Sequence, residues 1–273
     1  MITKFAKVAC ALVAFGVAAS AAARADILDA EDWSNHIEEI NQINNTQQFR
    51  RTMNRGFDMM VGMGADGGGQ SAADRIAQQT ATWRATLVVP PAPPGSELQR
   101  FLAGVDPAGR REVENYMRRE FAAYPAAAAQ ASFDPANVLD ARLFALQTAF
   151  RAVRPNEPTP LDATYLLHLA LSQQMTMAFT THKITTRTKQ DARDYYIIAR
   201  AILLPAVAGT PEGGLADEAS RKALAEKARA FFLRDAGVDP MTVTWQQLPC
   251  IGVSQVDCAA HLAMARSAMA GSQ

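Results

Sequence analysis

The sequence lacks three features that would assign a function at once. Basic and acidic residues number 27 each, so no charge excess indicates a nucleic acid partner. No G-x-S-x-G, P-loop, H-E-x-x-H or S-x-x-K motif occurs, which disfavours an enzyme without excluding a dispersed site. Beyond the N-terminus, no apolar run reaches the roughly 20 residues of a membrane-spanning helix. We therefore expect no nucleic acid partner, no cofactor and no transmembrane segment after signal cleavage.

The first 25 residues have the layout of a secretory signal peptide. Lys4 and Lys7 precede an apolar stretch over residues 8–19, and residues 23–25 form an A-x-A cleavage signal. The alternative is a retained N-terminal anchor, but the apolar stretch is too short to span a bilayer permanently. We expect a periplasmic or secreted chain that begins at Asp26.

Cysteine is scarce, and its positions indicate one disulfide. Cleavage of the signal removes Cys10 and leaves Cys250 and Cys258. In an oxidising compartment, such a pair most simply closes a small loop. The alternative is a thiol pair that cycles or binds metal, but the spacing is C-x7-C and not C-x-x-C.

The composition changes at about residue 95. Residues 26–95 are poor in aliphatic side chains, rich in Asn, Gln, Gly and Met, and end in the proline-rich linker of residues 90–95. Residues 96–273 are rich in Ala, Leu, Phe and Arg at regular spacing. We interpret these segments as a low-order tail with a stiff linker, followed by a helical domain.

The apolar spacing in the helical domain predicts an all-α bundle of five or six helices with a largely irregular N-terminal tail. Pro125 is expected beyond the end of the first helix, and Gly237 is expected to cap the fifth. Residues 241–248 are interpreted as one short strand or an extended cover. The predicted helices begin near Asp106, Asp134, Thr159, Gln190, Ala216 and Val256.

The basic segment of residues 180–189 is one candidate ligand site. His182, Lys183 and Arg187, together with threonine hydroxyls, have the chemistry to hold an anion, although a solvated loop is the simpler interpretation. His168 is added as a second candidate, either in a site between helices or as a hydrogen-bonded core residue. No histidine pair has the i, i+4 spacing that suits zinc on a helix.

A methionine cluster in the tail is a candidate metal site. Met59, Met60 and Met63 carry thioethers, which select Cu(I), and export suits that role. An adaptable apolar patch is the simpler interpretation. Copper binding predicts that affinity is lost when the three methionines are changed together.

Charged residues in the helical domain are interpreted as ordinary surface charges at helical spacing. This interpretation covers Asp191 with Asp194, and Asp140 with Arg142. Paired carboxylates carry out acid–base chemistry only where burial separates their pKa values.

Two stretches resemble a group of exported bacterial proteins that have a signal peptide, a variable tail, a linker and a compact helical domain. The stretches are residues 133–141, with the sequence FDPANVLDA, and the predicted helix of residues 215–238 with the residues 241–244 that follow it. The likeness covers about residues 97–248 and implies no catalytic residue. Residues 26–50 also resemble the Asn/Gln-rich start of minor conjugative-pilus proteins.

Together, these patterns favour an exported, non-catalytic helical protein that binds a protein partner in the bacterial envelope. The tail is then the adaptable contact, since it cannot bury enough apolar surface to fold alone. The alternative is an envelope enzyme, or a protein that binds a small ligand or metal near His168 and His182.

Overall fold

The described chain is α-helical, which confirms the predicted class. The computed structural model describes residues 82, 85–90, 92–181, 184–207, 218–251 and 255–270. These residues contain no strand beyond one isolated bridge between Val88 and Asn137. The α-helices are α1 (Ser96–Ala103), α2 (Arg110–Gln130), α3 (Val138–Val153), α4 (Leu161–Thr181), α5 (Thr186–Leu203), α6 (Glu218–Ala236) and α7 (Gln255–Ala270). Two 3-10 helices span Leu204–Ala206 and Trp245–Cys250.

Helix α3 is the centre of the structure. It packs against α5, α6 and α4, and all but two of its 16 residues are buried. The Asn137 side chain caps its start by accepting the backbone N–H groups of Leu139 and Asp140. Since α3 is covered on all sides up to Phe150, the charged side chains of Asp140 and Arg142 lie in the protein interior, whereas Arg151 in its last turn is exposed.

The main core is built around three aromatic residues. The Phe150 ring lies 5.8 Å from that of Phe232 and 5.4 Å from that of Trp245, measured between centroids. All three side chains are at most 2% exposed, and burying each of them stabilises the fold by about 1.5–3 kcal/mol. The indole N–H of Trp245 donates to the Thr164 hydroxyl at 2.9 Å, so the second 3-10 helix is held against α4.

A second, smaller core joins α1 and α2 to α5. Leu98 and Leu102 of α1 pack there with Met117, Ile198 and Ala201. The sequence did not predict α1, which is only eight residues long. Short helices are marginal in isolation, so this burial is what holds α1 in place.

Two predicted helix starts are wrong because each Asp-Pro pair forms a turn before the helix. The carboxylates of Asp106 and Asp134 accept the backbone N–H two residues further on, at 2.8 Å and 2.9 Å. The helices themselves begin later, at α2 and α3. Such local side-chain bonds compete with a helical start.

The prediction that Pro125 lies beyond the first helix is also wrong, because it lies inside α2. An interior proline removes one helical hydrogen bond at a cost of about 3 kcal/mol. Four alanines follow it, and alanine has the highest helix propensity. The helix therefore continues to Gln130, with Tyr124 and Ala128 buried on either side of the proline.

The C-terminal elements depart from prediction at one place. Gly237 ends α6 with φ +69°, which confirms it as the cap. The segment interpreted as a strand or extended cover contains a 3-10 helix instead, which begins with a capping box between Thr244 and Gln247. Cys250 and Cys258 form the expected disulfide, with Cα atoms 5.4 Å apart, and join this 3-10 helix to α7.

None of the helices in the described ranges combines the length and apolarity that crossing a bilayer requires.

Candidate functional site

The structure describes two residues of the predicted ligand site, and their environments differ. His168 is buried in α4 with 5% exposure, whereas Arg187 is exposed in the first turn of α5. Helix α4 continues to Thr181, and α5 begins at Thr186. Both ends of the segment predicted as a loop, residues 180–189, are therefore helical. The other predicted site residues lie outside the described ranges: His182 and Lys183 of this site, and Met59, Met60 and Met63 of the predicted copper site.

His168 belongs to a buried chain of three polar side chains. Its Nε2 lies 2.8 Å from Oδ1 of Asp140 on α3, and its Nδ1 shares a hydrogen bond of 3.1 Å with the Ser172 hydroxyl. The second carboxylate oxygen of Asp140 accepts the backbone N–H of Asp134 at 2.8 Å. A carboxylate, an imidazole and a hydroxyl thus contact one another in a row, which is the arrangement that activates the hydroxyl in enzymes with a nucleophilic serine.

The burial of this chain limits its chemistry. Ser172 is 0% exposed, Asp140 is 1% exposed, and His168 is 5% exposed. The contact between His168 and Asp140 is close enough for an ion pair, yet it is not aligned as a hydrogen bond. In this conformation the chain ties α3 to α4 and does not present a nucleophile to solvent.

Asp140, Arg142 and Asp194 are all buried, so interpreting them as surface charges was wrong. The Arg142 guanidinium donates to the Asp235 carboxylate at 2.8 Å and to its backbone carbonyl at 2.7 Å. The Tyr196 hydroxyl donates to the same carboxylate at 3.1 Å. This network joins α3, α5 and α6 in the interior.

The sequence did contain a signal for these buried charges. Apolar side chains occupy every face of α3 between Val138 and Phe150, so Asp140 and Arg142 have no polar face to occupy. A helix that is apolar all round is buried, and its charges require partners. The partner of Arg142, Asp235, is 93 residues away, and no local pattern identifies it.

Tyr196 of this network and the neighbouring Tyr195 are held in the protonated form. Burial raises the pKa of Tyr195 to about 12, although the Arg234 guanidinium acts in the opposite direction. Burial, followed by the Asp235 carboxylate, raises the pKa of Tyr196 well above its ordinary value. Both phenols therefore act as hydrogen-bonding groups and not as bases at neutral pH.

Two carboxylates of α5 fix the end of the proline-rich linker. Asp194 accepts the Gly95 backbone N–H at 2.7 Å, and Asp191 accepts the Ser96 hydroxyl at 2.8 Å. Arg193 donates to Asp194 at 2.9 Å. We call the four residues Gly95, Ser96, Asp191 and Asp194 the linker clasp.

The clasp leaves little room for a side chain at residue 95. A Cβ atom there would lie 3.3 Å from a carboxylate oxygen of each aspartate. Both carboxylates are held by hydrogen bonds, and Asp194 is 0% exposed, so neither moves away easily. A side chain at this position would therefore require the two carboxylates to shift by a few tenths of an ångström.

The linker continues along α5 before it reaches the clasp. The Gln190 amide donates to the Pro93 carbonyl at 3.0 Å, and the Lys189 ammonium donates to the Thr86 carbonyl. Leu87 and Val89 are 0% exposed and belong to the main core. The folded body thus includes Thr86, Leu87 and Val89, which the sequence analysis assigned to the low-order tail.

Neither metal chemistry nor known proteins assign a function to these residues. Within the described ranges, no group of three or more His, Cys, Asp or Glu side chains is placed to hold a metal ion. Comparison of the chain with protein-family models, curated proteins and solved structures finds no match. The proposals below rest on the residues of this chain.

Proposed function

We propose that this is an exported protein of the bacterial envelope that binds a protein partner through its N-terminal segment, presented by the helical body. The observation that carries the proposal is that the chain before α1 is held against the body, by the buried Leu87 and Val89 and then by the linker clasp, so that residues 26–81 join the body beside α5. The signal-peptide layout of residues 1–25 and the disulfide between Cys250 and Cys258 support export to an oxidising compartment.

The composition of residues 26–81 suits contact with a partner. It is rich in Asn, Gln, Gly and Met, which supply adaptable polar and apolar groups. A segment tethered at one end searches only a limited volume around its anchor, which raises its effective concentration near the adjoining surface. The segment and the α5 side of the body therefore act together as one binding surface.

A test of this function compares three forms of the protein in membranes and soluble fractions of its own organism. The first form is the full chain, the second lacks residues 26–81, and the third replaces them with a Gly/Ser segment of equal length. The proposal predicts a stable assembly, on a native gel, only for the full chain. If all three forms migrate alike, the N-terminal segment is not the binding element.

An envelope enzyme is a second candidate function, and one observation favours it. Asp140, His168 and Ser172 form the acid, base and hydroxyl sequence of a nucleophilic site. Because Ser172 is buried, this function requires α4 to move and expose the hydroxyl. Labelling by a fluorophosphonate probe that disappears in Ser172→Ala would support the enzyme, and failure to label the native protein would count against it.

A further inference from the structure

Helix α7 is attached to the body by a small buried surface. It packs mainly against α4 and the second 3-10 helix. Among the α7 side chains that the structure describes, only Leu262 and Ala265 are buried. By comparison, all but two of the 16 residues of α3 are buried. Packing therefore holds α7 less firmly than the helix at the centre of the structure.

A disulfide and an ion pair hold α7 at two separate points. Cys250 ends the second 3-10 helix, whose Trp245 belongs to the main core, and Cys258 lies in the first turn of α7. The Arg266 guanidinium pairs with the Asp162 carboxylate in the first turn of α4 at 2.7 Å. Since a helix rises about 1.5 Å per residue, the two points are about 12 Å apart along α7.

The disulfide is the stronger of these two attachments. The Arg266 side chain is 59% exposed, and an exposed ion pair changes an equilibrium constant by about fivefold or less. The disulfide closes a loop between residues eight positions apart, and the chain-entropy relation for such a loop gives a factor of roughly 60. Docking of α7 therefore depends mainly on a bond that thiols can break.

Away from the body, α7 is not expected to keep its structure. It has 16 residues, and isolated helices of about this length are marginal in water because packing supplies most of their stability. Docking and helical order are then lost together. Protection of the α7 backbone amides from hydrogen exchange therefore reports whether the helix is docked.

Both cysteines are half-buried, so the disulfide lies where solvent reaches the chain. We propose that this disulfide is a redox latch: its reduction releases α7 from α4 and the second 3-10 helix, while α1 to α6 stay folded. The inference goes beyond the proposed partner binding and does not depend on it.

The reaction is thiol–disulfide exchange with a dithiol reductant. A thiolate of the reductant attacks one sulfur and forms a mixed disulfide, and the other cysteine leaves as a thiolate that takes up a proton. The second thiol of the reductant then displaces the remaining cysteine, so the reductant becomes a disulfide. The protein gains two electrons and two protons in total.

Hydrogen exchange measured by mass spectrometry tests the latch on the purified full chain, before and after reduction by dithiothreitol. We expect the backbone amides of residues 259–270 to exchange roughly 60-fold faster after reduction, the factor that follows from loop closure. Peptides that contain Phe231 and Phe232 of α6 are the internal reference, because both side chains are buried in the main core. In the reduced protein these peptides are expected to stay protected for longer than α7.

The matched control combines Cys250→Ser with Cys258→Ser, which removes the bond and leaves side chains of similar size. Its α7 amides should exchange as fast as those of the reduced protein, and dithiothreitol should change nothing further. Unchanged exchange in α7 after reduction would overturn the proposal, because the noncovalent contacts would then suffice for docking. Equal exchange rates in α7 and α6 of the reduced protein would also overturn it, because α7 would then open only with the whole fold.

Discussion

Asp194 accepts the backbone N–H of Gly95 at 2.7 Å, which joins two residues that are 99 positions apart in the sequence. The contact is partly buried, since Asp194 is fully buried and Gly95 is half-buried. Together with the buried Leu87 and Val89, it holds the chain that precedes α1 against the helical body. The clasp therefore connects the stability of the body to the presentation of that segment.

The clasp is expected to be sensitive to a single methyl group. Gly95→Ala places a Cβ atom 3.3 Å from both aspartate carboxylates, so we expect the free energy of unfolding to fall by about 1–2 kcal/mol. Gly109→Ala is the control, because its nearest neighbouring atom is 4.0 Å away, and we expect a change within about 0.5 kcal/mol. Urea denaturation measures both, and equal changes would mean that the clasp tolerates a side chain.

The buried pair of Arg142 and Asp235 is expected to cost more when one partner is removed than when both are replaced. Arg142→Met leaves a buried carboxylate with one partner fewer, and we expect a loss of about 3–5 kcal/mol. Combining it with Asp235→Leu removes the uncompensated charge and restores much of the stability.

Arg118→Ala is the control for that series, because its pair with Glu114 is exposed. We expect a change of less than about 1 kcal/mol. Chemical denaturation of these three variants and of Asp235→Leu alone gives the comparison. If the loss in the double variant equals the sum of the losses in the two single variants, the two residues act independently, contrary to this prediction.

Asp194 gives the stability a specific pH dependence. Burial raises its pKa above the ordinary value, although the Gly95 N–H and Arg193 act in the opposite direction. The folded state therefore binds a proton more tightly than the unfolded state, and stability falls as pH rises through the window between the two pKa values. Asp194→Asn has no carboxyl group to titrate, so its stability lacks this pH-dependent contribution.

The measurement is the free energy of unfolding of both proteins at several pH values from about 4 upward, where the window begins. The advantage of the native protein over Asp194→Asn is expected to shrink as pH rises and then to level off. An advantage that grows with pH would show that the folded state lowers the pKa of Asp194, contrary to our account.

The disulfide is expected to stabilise the C-terminal part of the structure. It closes a loop between residues separated by eight positions, and the chain-entropy relation gives about 2.5 kcal/mol for a loop of this size. Cys250→Ser with Cys258→Ser should lose this amount in urea denaturation. A reducing agent should destabilise the native protein to the same extent and leave the double variant unchanged, and any other pattern would point to a non-structural role for the thiols.

The sequence predicted the fold class because helical periodicity is a local property. Helix α6 ends at Gly237 as expected, since a glycine after an amphipathic stretch is a direct signal. The Asp-Pro pairs misled because a capped helix start and a short turn have the same residues. The bond that Asp106 and Asp134 accept from residue i+2 is also made by Asn137, the true cap of α3, so only the backbone that follows distinguishes the two.

The buried charges could not be predicted with their partners. The apolar surroundings of Arg142 indicate burial, but its pairing with Asp235 depends on how α3 and α6 pack. The same holds for His168, whose partner Asp140 lies on another helix. Such long-range pairing depends on the tertiary structure, and the local patterns of a single sequence do not reveal it.

The most direct test of the central claim is photo-crosslinking in intact cells. A benzophenone amino acid replaces Phe57 in the N-terminal segment or, as the control, Leu233, which is 47% exposed on α6. Our account predicts one discrete crosslinked species from residue 57 that weakens when Asp191→Ala and Asp194→Ala release the clasp, and none from residue 233. Crosslinking from residue 233 alone, or from residue 57 with no dependence on the clasp, would contradict it.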